Sequence, residues 1–160
     1  MTASVTLFRI ASETRQYKAT DLGGRGAAKY PGRWNHAGEY VVYAAQSRSM
    51  AVLETAAHVD SAGLPQNRFV VRLDVPAAIW KTRTTLKETG LDPAWRSIPA
   101  GKASEDIGSS WYQSGKTALL LVPSVIVPEE YVVLVNARHP SAKAITAVTE
   151  RPFEFNKLFR

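Results

Sequence analysis

The sequence predicts a single α+β domain, residues 1–160, with a compact mixed or antiparallel β core and few helices. Three observations predict it. Segments rich in β-formers come bunched, at VTLFRI, YVVYAA, RFVVRLDV, ALLLVPSVIV and YVVLVN, without the strand–helix alternation of a doubly wound sheet. Only the stretch after Ser47 has a clear helical start and an apolar stripe. The chain, 160 residues at 45% hydrophobic and 21% charged, is also long enough to bury about two thirds of its unfolded surface around one core without disulfides or a structural metal.

In chain order, VTLFRI (5–10) alternates so that Val5, Leu7 and Arg9 share a face. Residues 20–39 hold five of the ten glycines and read as loop. YVVYAA (40–45) follows as a strand in which Tyr43 faces away from Tyr40 and Val42. Ser47 or Ser49 caps a helix running from Met50 to His58, which Asp60–Gly63 ends. RFVVRLDV (68–75) is the next strand. Residues 81–116, broken by Pro93, Pro99, Gly101 and Gly108, are expected to hold a short helix and long loops. Strands follow at 118–127, interrupted by Pro123, at 131–136, and more weakly at 144–148.

Several function classes drop out. There is no cysteine, hence no thiolate chemistry. The start of the chain shows neither a basic leader nor an apolar core, so no signal peptide is expected and the expected location is the cytoplasm. No run approaches the ~18 apolar residues of a membrane span, and no membrane partner is expected. His36, His58 and His139 lack metal-site spacing; Glu54 and His58 stand i,i+4 without a third ligand, so no metal is expected. The net charge of +6 favours an anionic partner. Six basic residues (Arg9, Arg15, Lys18, Arg25, Lys29, Arg33) stand against Glu13 and Asp21 in the stretch from Arg9 to Arg33, beside Gly-rich backbone. That concentration suits a phosphate pocket better than a long nucleic-acid groove. No helix-turn-helix, aromatic RNA-binding motif or zinc knuckle is present, so a basic nucleic-acid-binding module rests on charge alone and direct nucleic-acid contact is not expected.

Neither the P-loop nor the dinucleotide glycine fingerprint fits. What remains is Pro31-Gly32-Arg33-Trp34-Asn35, an arginine on a turn, able to grip a pyrophosphate bidentately. With Val52 at 0° on a helical wheel, Val52, Ala56, Leu53, Ala57 and Met50 span about 0–160° and Glu54 falls near 200°, at the margin of the expected buried stripe. Tyr43 is close enough in sequence to share a cleft with both. Ser124 stands in an apolar strand without a nucleophile elbow, which argues against a serine hydrolase. Singly, each has a commoner structural use: a surface arginine packed on Trp34, a solvated edge glutamate, a rim tyrosine, a serine satisfying backbone at a proline break.

Together they change the odds. Leu7-Phe8-Arg9-Ile10, Gly32-Arg33-Trp34-Asn35, Val42-Tyr43-Ala44, Leu53-Glu54, Val122-Pro123-Ser124, Asn136-Ala137-Arg138-His139-Pro140 and Pro152-Phe153-Glu154-Phe155 stand in an order that resembles the RES-domain family, named for Arg, Glu and Ser positions that map to Arg33, Glu54 and Ser124. Tyr131, Ala137 and Asn156 depart from its pattern, away from the proposed centre. The resemblance implies an ADP-ribosyltransferase-like fold and the toxin of a bacterial toxin–antitoxin pair, held inactive by an Xre-like antitoxin that blocks the cleft. It implies NAD+ as substrate, consumed by hydrolysis or phosphorolysis, or alternatively as donor of ADP-ribose to a cellular protein. By the same resemblance Glu54 stabilises the oxocarbenium-like ribose, and Arg33 with Arg9 holds the pyrophosphate. Tyr43 stacks on nicotinamide, Ser124 fixes Glu54 or the ribose, and Trp34 and Asn35 join the NAD+-binding residues.

Overall fold

The computed structural model describes residues 4–57 and 65–158. In chain order the elements are β1 (Val5–Ser12), α1 (Arg25–Lys29), β2 (Val41–Ala45), α2 (Arg48–Ala56), β3 (Arg68–Val75), α3 (Ala77–Lys81) and β4 (Thr84–Thr85). After them come α4 (Lys102–Ser114), β5 (Leu119–Pro123), β6 (Tyr131–Asn136) and β7 (Thr146–Phe153). The strands form one seven-stranded sheet in the order β4-β5-β6-β2-β1-β3-β7, antiparallel throughout except for β4 beside β5. This is the α+β architecture expected.

β5 and β6 read as continuous apolar runs because both of their faces are covered. Leu119, Leu121, Val133 and Val135 join Leu7, Val42, Val71 and Leu73 in a core on one face, closed by Ile79 of α3. On the other face Leu120, Val122, Val132 and Leu134 pack against Trp34, Trp95 and Trp111. Farther along that face Phe8, Ile10, Ala45 and Val70 pack under Met50 and Ala51 of α2 and against Phe155. The sheet is nearly split between these two clusters. β1 and β2 share a single register pair, Phe8 with Ala45. Beside it lies one large cavity, lined by consecutive residues of both strands, 8–12 and 41–45.

The structure amends several sequence expectations. β3 and β6 match their expected bounds, while β1 extends to Ser12. The glycine-rich loop contains α1, and α4 has 13 residues where a short helix was expected. Gly115 (φ 61) ends α4 in the left-handed conformation. β5 stops at Pro123 because Ser124 turns the chain, its hydroxyl accepting the N–H groups of Ile126 and Val127. The weak last strand is the eight-residue edge strand β7, largely exposed and paired only to β3, which leaves it little apolar alternation. Ser47 caps α2, accepting the Met50 N–H; the expected continuation to His58 and the stop at Asp60–Gly63 lie outside the described residues. Among the described residues no helix is long and apolar enough to cross a membrane.

Candidate active site

α2 carries Glu54 into the cavity. Its buried residues are Met50 and Ala51, and Leu53 is exposed. On the wheel used above these two stand at about 160° and 260°, so Glu54, near 200°, lies in the middle of the inward face and not at its margin. α2, RSMAVLETA, carries apolar residues around most of its circumference and has only a weak bias of its own, so packing on Phe8, Ile10 and Ala45 sets its rotation.

Ser124 is buried at the turn after β5. Its hydroxyl oxygen accepts the N–H groups of Ile126 and Val127, both at 3.1 Å, and donates its proton to Glu54 Oε1 at 2.5 Å. A serine hydroxyl has one proton and two lone pairs. All are engaged here, which holds the Glu54 carboxylate and leaves the serine oxygen no free lone pair for attack on a ligand. No partner of the second Glu54 oxygen is found among the described residues.

Arg33 enters from the turn after α1. Its Nη1 donates to the carbonyls of Trp95 (2.9 Å) and Ser97 (2.7 Å), tying this turn to the segment before α4. Burial pushes its pKa down, and the charges of Glu54 and Tyr43 pull it back. The turn itself is clamped by Asn35, fully buried. Asn35 Oδ1 accepts the Gly32 N–H and the Tyr43 hydroxyl, and its Nδ2 donates to the carbonyls of Ala27 and His36. Its hydrogen bonds are spent within the fold and it does not line the cavity, so the expected direct ligand contact becomes a positioning role. The Trp34 ring, 2% exposed, stacks on Trp95 at 5.9 Å.

Tyr43 lines the cavity with its ring. Its hydroxyl accepts the Trp34 N–H at 3.1 Å and donates to Asn35. Gly32 packs so closely on this ring that a Cβ there would lie 2.7 Å from Cζ. Burial pushes the phenol well above its ordinary 10.0, opposed by the hydrogen bond from Trp34. The stability this contributes is fully present below pH 10.0 and is lost as pH rises towards the folded value, because the unfolded chain then ionises first. Melting temperature should therefore fall as pH is raised above 10. Tyr43→Phe should melt lower at pH 8, having left polar partners unpaired, but with a shallower alkaline slope. An identical slope in thermal melts from pH 8 to 11 would contradict the assignment.

Arg9 lines the cavity from β1. Its Nε is buried and has no hydrogen-bond partner among the described residues. Burial lowers its pKa, countered by Asp21 and Tyr17. An orphaned buried guanidinium N–H is costly and points to an anionic ligand that satisfies it. Lys18 and Arg25 line the same cavity, Arg25 paired with Asp21 at 3.0 Å; Arg15 and Lys29 do not line it. The cavity measures about 970 Å³, at the upper end of small-molecule sites and large enough for a dinucleotide. Sequence reasoning missed Tyr17, Asp21, Glu105 and Ile98 as lining residues; the basic run had flagged Lys18 and Arg25 only as charge. Among the described residues no cluster of metal-ligating side chains is found.

A carboxylate with an oriented hydroxyl and an arginine with an unpaired Nε line one cavity, and they define a class: an α+β protein with a cleft whose side chains could take an anionic organic ligand. Residues 6–156 match the RES domain, and the chain belongs to the RES-domain toxin family. It is similar to the "Prs ADP-ribosylating toxin" of Sphingobium sp. (strain YBL2), 48% identical over 144 residues, covering 90% of this chain and 89% of that protein. It is also similar to "Toxin Res" of Yersinia enterocolitica, 34% identical over 151 residues, 94% of this chain and 96% of that one. Its fold resembles the toxin in the crystal structure of the M. tuberculosis MbcT–MbcA toxin–antitoxin complex, with a TM-score of 0.65 at 18% identity, covering 93% of this chain and 85% of that one.

Proposed function

We propose that this chain is a toxin enzyme that breaks the nicotinamide–ribose bond of NAD+ and transfers the ADP-ribose to a protein. The observation that carries the donor half is the Glu54 carboxylate, fixed by Ser124 inside a cleft that also holds the orphaned Arg9 guanidinium. Arg9 and the free face of Arg33 hold the pyrophosphate. Nicotinamide leaves as a neutral base with the bonding pair, and positive charge builds on the ribose. Glu54 stabilises that charge electrostatically. The acceptor's lone pair closes on C1′, and its proton passes to the Glu54 carboxylate or to water.

The sequence reading put hydrolysis or phosphorolysis first. Identity of 48% with a protein named as a Prs ADP-ribosylating toxin favours a protein acceptor, and we take Prs as the candidate. NAD+ labelled in its ADP-ribose part, incubated with the purified protein and Prs, should leave label on Prs. Label found only in ADP-ribose would mean hydrolysis; phosphate-dependent release would mean phosphorolysis. An antitoxin of Xre-like type is the expected inhibitor, seated over the cleft. Arg33→Lys keeps the charge but loses the guanidinium fork. It should weaken NAD+ binding by about tenfold with a smaller change in turnover, and an unchanged NAD+ titration would refute the pyrophosphate role.

A further inference from the structure

Six large apolar side chains are exposed among the described residues, and three of them, Ile98 (83%), Tyr30 (74%) and Ile126 (40%), line this one cavity. They come from three separate segments, flanked by Pro31, Pro99 and Val125 of the same lining. Single exposed apolar residues are ordinary, but three from separate segments in the lining of one cavity, the collar, mark an interaction surface. Each segment is tied to the reacting end. Tyr30 begins the turn that carries Arg33. The Ser97 carbonyl, just before Ile98, accepts Arg33 Nη1 at 2.7 Å. The Ile126 N–H donates to Ser124 Oγ at 3.1 Å. Arg9, Lys18 and Arg25 give the same lining its basic part. Glu105, in the first turn of α4, belongs to the same lining. Among the described residues its basic partner is His36, whose Nδ1 stands 3.7 Å away while Nε2 makes a 2.8 Å contact with Asp106, so Glu105 is left weakly paired beside the collar.

We propose that this collar is the docking surface for the acceptor protein, taking an apolar segment with a basic side chain that pairs with Glu105. The inference rests on the protein-acceptor reading above. Water or phosphate reaches C1′ without apolar contacts, and Glu105 repels phosphate. A second copy of this chain is disfavoured as occupant because each copy carries a net charge of +6.

The test uses the full chain with two readouts: nicotinamide release from NAD+ without acceptor, and label transferred to purified Prs. Replacing two exposed anchors together, Tyr30→Ser with Ile98→Ser, should lower transfer to Prs about tenfold more than it lowers nicotinamide release, the usual scale for interface anchors. Glu105→Lys should lower transfer more than Glu105→Gln, since it adds repulsion to the lost pairing. Unchanged transfer in the double variant would overturn the proposal. So would a parallel fall in both readouts, or a wild-type dimer that the double variant dissociates. Wild-type protein that releases nicotinamide but leaves Prs unlabelled would instead sink the protein-acceptor reading, and the collar's role with it; no nicotinamide release at all would sink the NAD+ reading.

Discussion

Glu54→Gln is expected to lower turnover by about 10²–10³, the range for removing one preorganised electrostatic group. The change keeps the side chain's size and lets Ser124 still donate to an amide oxygen, so the turn at 124–127 should survive. On the proposed chemistry, what disappears is the negative charge that would stand beside the ribose as nicotinamide departs. The loss should fall on kcat more than on NAD+ affinity, because the charge it removes is most useful once the ribose has become cationic. Circular dichroism matching the wild type, together with steady-state rates, gives the check. Turnover within a few-fold of wild type in a folded variant would remove Glu54 from the chemistry.

Gly108→Ala is expected to be the most damaging conservative change to the fold. Gly108 lies in α4 where the helix crosses the backbone of the Arg33 turn. A Cβ there would stand 1.7 Å from the Trp34 carbonyl oxygen and 2.6 Å from its carbon. These are backbone atoms, so the helix or the turn must move. Overpacking of this severity costs about 3 kcal/mol or more, which lowers the melting temperature by about 6–12 °C in a chain of this size. The turn that would shift holds Arg33, so NAD+ affinity should fall as well. A melting temperature within about 2 °C of wild type would mean that α4 does not press on the turn as described.

Much of the arrangement was legible in the residues. RFVVRLDV and YVVLVN declare their strands by their density of β-formers, and both end where expected. Arg33, Tyr43, Glu54 and Ser124, spread over 92 positions, do share one cavity. The weaker parts have physical causes. The rotation of α2 depends on which side of a helix with apolar residues around most of its circumference meets Phe8 and Ile10, a tertiary fact that its own sequence barely encodes. Asn35 looked like a ligand contact because it stands beside Arg33, whereas its amide saturates the turn from behind. The weak edge strand β7 has little apolar alternation to read. Ile98 and Glu105 line the cleft from a stretch that Arg33 ties to its own turn through the carbonyls of Trp95 and Ser97, contacts across more than sixty residues.

The central claim is that the cleft around Glu54 opens the nicotinamide–ribose bond. The most direct measurement is nicotinamide released from NAD+ by the purified wild-type protein, resolved by chromatography, with Glu54→Gln run alongside and Prs present or absent. Release should depend on Glu54 and rise when Prs is added, with the ADP-ribose recovered on the protein. NAD+ left intact by folded wild-type protein, or nicotinamide released equally by Glu54→Gln, would contradict it.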